Sequence, residues 1–209
     1  MTEVQGTTEW HAARCGKVTA SRIVDVMAKG KGGEATTRAS YKAELLSERD
    51  TGLQSDGFKS GAMQWGNDAE PLARATYEAS TGQFVTEVMF VAHPRIAMSG
   101  ASPDGLVGSD GLVEFKCPAT ATHIATLLGT PIKREYLLQM QWQMACTGRA
   151  WCDFVSFDPR LSEPKQMKVI RVMRDDPWIA EIEAEVLQFL IELDAMKLQL
   201  DVMYPKEAA

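Results

Sequence analysis

Asp104, Glu114 and Lys116 lie in one short stretch, Ser102-Pro103-Asp104-Gly105 through Glu114-Phe115-Lys116, and are residue types suited to metal-assisted cleavage of a phosphate ester. Alternation along a strand puts Glu114 and Lys116 on one face and Val113 and Phe115 on the other. An acid and a lysine on an apolar strand are costly to bury singly and are usually paired. Asp104 precedes Glu114 by ten residues and opens a hairpin, so the turn returns it beside Glu114 at the sheet end. Two carboxylates converging near a lysine make a hard-oxygen site that suits Mg²⁺ or Mn²⁺. Such an ion polarises a phosphate and acidifies a water, while Lys116 orients or deprotonates that water or stabilises developing charge. The same spacing also describes an exposed Glu–Lys pair beside an Asp-Gly turn. Both readings stand on the residues alone.

The elements that must position this group are legible in outline. Leu106–Val107 and Leu112–Phe115 read as strands flanking a Gly-Ser-Asp-Gly turn, after strands at Phe84–Ala92 and Ile96–Ala101. Upstream, Thr19 or Ser21 caps a short helix through Ile23, Val24 and Met27. Ser40 opens a second helix that ends near Gly52, and a third runs from about Ala62 to Ser80 and stops at Gly82. Between the first two, residues 28–40 are rich in Gly, Lys and Thr and read as a flexible insert. Downstream come a helix over Ile132–Thr147 and strands at Trp151–Phe157 and Met167–Met173. A last helix starts at Asp176-Pro177, with a stripe of Ile179, Ile182, Val186, Phe189, Leu193, Met196 and Leu200 that predicts core packing. This order predicts an α/β fold, a central mixed sheet flanked by helices, in one domain spanning 1–209.

Composition narrows the class. Hydrophobic residues are 45% and charged residues 24% of 209, ordinary globular values that exclude disordered, collagen-like and coiled-coil chains. No apolar run reaches the ~18–20 residues of a membrane span, and the first residues lack a secretory signal's pattern. Cys15, Cys117, Cys146 and Cys152 form no CxxC pair, which argues against a zinc ribbon and fits reduced thiols in a cytosol. The net charge of −6 is unevenly spread. Trp10–Lys42 carries seven cations against two anions, whereas Asp175–Ala209 carries nine anions against two cations. A basic front can hold a polyanion locally, and solvated faces explain the pattern equally well.

Several other polar residues admit a functional and a plain reading. Thr19-Ala20-Ser21 at a helix start offers free N–H groups to an anion, with Arg14 adding a guanidinium fork; simple capping is the alternative. Glu70 precedes Arg74 by one turn, as an ion pair does, and Pro71 puts it near a first turn or a kink. Tyr136, Gln139 and Gln143 share one helix face, either lining a groove or solvated. Trp65, Trp142 and Trp151 read as core, and Cys117 has no histidine partner for thiol chemistry.

The string SPDG…LVEFKCP resembles the core of the PD-(D/E)XK nucleases, specifically their lambda-exonuclease (YqaJ-type viral recombinase) branch. Other segments agree in order: Trp10-His11, Arg14, Gly16 and Thr19-Ala20-Ser21; then Trp65-Gly66 and Glu70; then Tyr136 with Gln139-Met140-Gln141. The resemblance covers about residues 9–200 and implies a restriction-endonuclease-like α/β core. It also implies a Mg²⁺-dependent, processive 5′→3′ exonuclease that degrades one strand of duplex DNA and leaves 3′ tails for single-strand annealing.

Residue by residue, the resemblance implies Asp104 and Glu114 as metal ligands, with the Phe115 carbonyl contributing, and Lys116 as the catalytic lysine. It implies a helix carboxylate at Glu70, a water-positioning glutamine at Gln139, and a terminal 5′-phosphate pocket at Arg14, Ser21 and Ser102. Trp10 and Tyr136 fall where the DNA end is contacted. Some relatives carry an acid upstream of SPDG, where this chain reads His93-Pro94-Arg95-Ile96; His93 is a candidate ligand, or a surface histidine before a turn. The resemblance further implies two ions per site, with Mn²⁺ as a substitute for Mg²⁺. It also implies a homotrimeric ring on DNA ends, a single-strand annealing partner, and a phage or prophage origin in a bacterial cytoplasm. A structure-selective endonuclease on the same core, or a non-catalytic DNA-binding module, are the rival functions.

Overall fold

The computed structural model describes residues 7–54 and 61–205, so the single-domain span expected over 1–209 runs beyond them at both ends. A five-stranded sheet forms the centre: β2 (Val85–Thr86), β5 (Gly105–Val107), β6 (Gly111–Lys116), β7 (Trp151–Phe157) and β8 (Met167–Met173), in that order. Only β6 and β7 in it pair in parallel, so a crossover must join them. Two helices make that crossover, α5 (Thr120–Leu127) and α6 (Arg134–Thr147). A smaller sheet carries β1 (Val18–Thr19), β4 (Ser99–Ala101) and β3 (Val91–Ala92). The architecture is a mixed α/β fold with helices on both faces.

Strand alternation decides what each face buries. Val113, Phe115, Val155 and Phe157 point toward Ala73 and Tyr77 of α4 (Gly61–Thr81). Leu112, Cys152 and Phe154 point the other way, onto Met140 and Met144 of α6. Glu114 shares the second face, so it is carried under α6 on an otherwise apolar strand. A third core gathers α2 (Ile23–Val26), α3 (Thr36–Thr51), α6 and α7 (Asp176–Met203) around Trp142, Tyr41 and Phe189.

Several elements differ from expectation. The strand expected over Phe84–Ala92 divides into β2 and β3, because Val85 pairs with Val107 of the large sheet and Val91 with Ala101 of the small one. Phe90 lies across Gly100, where an added Cβ would sit 2.3 Å from its ring. Helix α3 begins at Thr36, inside the expected insert, and a Lys29–Glu34 bridge closes the loop that precedes it. Glu34 there joins Arg38, Lys42 and Glu192 in an ion cluster that fastens α3 to α7. The α7 stripe is buried only from Ile179 to Leu193, whereas Met196 and Leu200 are 36% and 47% exposed, since the last turns outrun the body they pack on. Of the tryptophans read as core, Trp142 is fully buried and Trp65 and Trp151 are half-buried. No helix among the described residues is long and apolar enough to cross a membrane.

Candidate active site

Hairpin β5–β6 pairs Gly105 with Val113, which seats Asp104 beside the end of β6. There the Phe115 backbone N–H donates to Asp104 Oδ2 at 2.7 Å. On the α6 side, Lys116 Nζ donates to Glu114 Oε1 at 2.5 Å and Gln139 Nε2 donates to the same oxygen at 2.7 Å. Gln143 Nε2 donates to Glu114 Oε2 at 2.6 Å. Asp104, Phe115, Lys116, Tyr136 and Glu70 border a cleft of about 380 Å³. Glu114 is 1% exposed and reaches the cleft through Lys116, which borders it.

The electrostatics are those of a site short of positive charge. Burial raises the Asp104 carboxyl well above its ordinary pKa, and the charges of Glu114 and Glu70 push it further. Burial also raises Glu70, against the opposing pull of Arg74. For Lys116, burial works against the ammonium, but Glu114 and Asp104 outweigh it and hold the lysine firmly protonated. Its Nζ lies 5.0 Å from the Tyr136 ring centroid, a cation–π contact. Cys117 is pushed up to about 12 by burial and then by Glu70 and Asp104, so no thiolate forms beside Lys116.

A divalent cation fits this donor set. Among the described residues no three or more His, Cys, Asp or Glu side chains make a complete metal cage. Mg²⁺ does not need one, because it keeps several waters and takes one or two carboxylates together with substrate phosphates. Asp104 and Glu114 would supply those carboxylates, Phe115 lines the same cleft, and Glu70 faces them from α4. Pro71 lies inside α4 and lacks the N–H that would bond the Asn67 carbonyl, at a stretch where Gly66, Asn67 and Glu70 line the cleft. Arg74, one turn on from Glu70, lies 3.6 Å from its carboxylate and donates to the Asp104 carbonyl at 3.2 Å.

A second cluster lies two residues before Asp104. Helix α1 (Thr8–Arg14), capped by Thr7, places Trp10 and Arg14 one turn apart. Trp10 Nε1 and Arg14 Nη1 both donate to Ser102 Oγ, at 3.1 and 3.2 Å. The guanidinium lies 4.1 Å over the Trp10 ring, and its Nε is buried without a partner. Burial lowers the Arg14 pKa, against Tyr41 and Glu48. In the parallel pair of β1 and β4, Thr19 sits opposite Gly100, so the chains leave the same strand end toward Ser21 and Ser102. Ser21 is exposed on the 3₁₀ turn there.

The structure therefore brings together Asp104, Glu114, Lys116, Gln139, Glu70, the Phe115 backbone and Tyr136, and separately Trp10, Arg14 and Ser102. His93 is a correction. Its Nε2 faces Glu183 at 3.1 Å, its Nδ1 accepts from Arg95 N and Ile96 N, and its ring stacks on Trp142. Nε2 is engaged by Glu183 of α7 and Nδ1 by the following turn, and the residue is 5% exposed, so His93 is not a surface residue and neither ring nitrogen is open to a metal. Sequence reasoning left Gln143 undecided between groove and solvent; it is fully buried against Glu114. It also missed the hold of Arg74 on Asp104, for which the i,i+4 spacing from Glu70 was the available signal.

Residues 9–150 match the YqaJ-like viral recombinase domain. The chain belongs to this family. It is similar to an alkaline exonuclease (LHK-Exo) from Laribacter hongkongensis at 54% identity and a TM-score of 0.88, covering 94% of this chain and 97% of that one. LHK-Exo in complex with dAMP gives a TM-score of 0.89. A phage related exonuclease from Haemophilus somnus 129PT shares the fold at a TM-score of 0.67 and 17% identity, over 88% of this chain and 96% of that one. No curated protein sequence matches. This family member is an exonuclease-like nuclease on the PD-(D/E)XK fold.

Proposed function

We propose that this nuclease digests one strand of linear duplex DNA from its 5′ end, one nucleotide at a time, with a divalent cation, Mg²⁺ or in its place Mn²⁺. The observation that carries this reading is the closeness of two sites of opposite kind. Ser102, in the cation-lined cluster, and Asp104, in the carboxylate cleft, are two residues apart, so their Cα atoms are at most about 7 Å apart. Arg14 and Trp10, with Ser102 and Ser21, bind the terminal 5′-phosphate and set which ester enters the cleft. Asp104 and Glu114, with the Phe115 carbonyl and Glu70, hold one or two cations. When bound, the ion supplies Lewis-acid polarisation of the phosphate and a more acidic water. Lys116 and Gln139, which share Glu114 Oε1, would orient the attacking water, and the Lys116 ammonium would offset charge developing on the phosphate oxygens. Tyr136 borders the cleft where the end nucleotide lies. A relative crystallised with dAMP supports a mononucleotide product.

The wider setting of the reading is a homotrimeric ring around duplex DNA in the bacterial cytoplasm, encoded by a phage or prophage. It leaves 3′ tails for a single-strand annealing partner. The test is purified protein with Mg²⁺ and 5′-phosphorylated linear duplex. Mononucleotides are released from the 5′ strand, Lys116→Ala is inert, and a covalently closed circle is untouched. Nicking of the circle refutes the exonuclease in favour of an endonuclease; full activity in Lys116→Ala refutes the mechanism.

A further inference from the structure

Of the three side chains among the described residues that donate to Glu114, Gln143 is the one that lies wholly inside the protein. Its side chain is fully buried, and its Nε2 donates at 2.6 Å to Glu114 Oε2, the oxygen that Lys116 and Gln139 do not touch. Its Oε1 is buried with no partner. The orientation is forced, because turning the amide would set an oxygen against a carboxylate. Buried side-chain acceptors are usually satisfied, so the contact this amide keeps is its Nε2 donation to Glu114. Gln139 and Gln143 stand one turn apart on α6, so each amide grips a different oxygen of Glu114. Together they stop the carboxylate from rotating about its terminal bond.

We infer that Gln143 is a positioning residue for the reaction: it fixes the plane of the Glu114 carboxylate and so sets cation affinity and turnover without touching DNA. This rests on the reading of Glu114 as a cation ligand. Partners that hold a ligand in place typically change metal affinity 10–100-fold when removed. A different glutamine on the same helix provides the comparison. Gln141 Nε2 donates to the Met173 carbonyl and its Oε1 accepts from Asp175 N, a tie between α6 and the start of α7 that reaches no part of the cleft.

The experiment compares full-length wild type with Gln143→Met, Gln143→Asn and Gln141→Met. It measures Mn²⁺ binding without DNA by calorimetry, kcat and KM on 5′-phosphorylated duplex, and melting temperature in chelator. In both Gln143 variants Mn²⁺ binding weakens about ten-fold and kcat falls about 10- to 100-fold, with KM for duplex within about two-fold. Gln141→Met lowers the melting temperature and leaves cation affinity and kcat as they were. The inference is overturned if a folded Gln143 variant keeps wild-type Mn²⁺ affinity and kcat. It is equally overturned if both variants fail to fold, or if their losses follow melting temperature as a structural residue's do. Wild type that binds no Mn²⁺ and cleaves no DNA overturns the nuclease mechanism as well, whereas active wild type with indifferent Gln143 variants overturns this inference alone.

Discussion

Replacing Arg14 by alanine tests whether the α1 cluster reads the terminal phosphate. The guanidinium is largely desolvated, lies 4.1 Å over Trp10, shares Ser102 Oγ with the Trp10 indole, and keeps a buried Nε with no partner. Such a group is held ready for an anion. Hydrogen bonds to charged groups contribute about 1.5–3 kcal/mol, which converts to about a 10- to 150-fold loss of kcat/KM on 5′-phosphorylated ends. The assay is a two-by-two cycle: wild type and Arg14→Ala, each on duplex with a 5′-phosphate and with a 5′-hydroxyl. Removing the phosphate costs wild type about as much as the mutation does, and removing both costs little more. Equal losses from Arg14→Ala on both substrates refute the reasoning, because the side chain would then act on folding or elsewhere on the DNA.

Two further outcomes concern the scaffold. Arg38, then Lys42, holds the Glu192 carboxyl down at about 2, below its ordinary value, so its contribution to stability is complete above the unfolded carboxylate range and fades as pH falls toward about 2. Melting temperature followed from pH 7 to pH 3 therefore drops less steeply in Glu192→Gln than in wild type, and parallel curves contradict the pairing. Gly100→Ala drives a Cβ to 2.3 Å from the Phe90 ring and 2.5 Å from the Val91 carbonyl. It costs about 1–3 kcal/mol by denaturant unfolding and, because β4 leads directly into Ser102, lowers turnover of 5′-phosphorylated ends more than of 5′-hydroxyl ends; unchanged stability contradicts the contact.

Much of the site was legible because its residues are close in sequence. Asp104, Glu114 and Lys116 fall on one hairpin, and strand alternation placed the last two on one face correctly. Strands with clean periodicity, β7 and β8, have the expected bounds, as do the glycine-stopped ends of α3, α4 and α6. The misses have physical causes. Helix α5 has only eight residues, three of them threonine, and buries His123, while α1 has seven and exposes most of its surface; both are too short to show a clear period. The division of Phe84–Ala92 depends on pairing with two different sheets, which no local pattern records. His93 shows the same limit. A histidine before a proline turn reads as a surface residue or a ligand, and only the packing of α7 and Trp142 brings Glu183 to its ring. Gln143 could be placed on a helix face by counting, but its burial depends on β6 lying beneath that face.

The central claim is that Asp104 and Glu114 jointly grip a divalent cation with the Lys116 ammonium close by. Crystals soaked in Mn²⁺ and measured at the manganese absorption edge address it directly. An anomalous peak within bonding distance of oxygens from both carboxylates is the predicted result. Protein that cleaves DNA in solution while its crystals hold no ion at those two side chains would contradict the account.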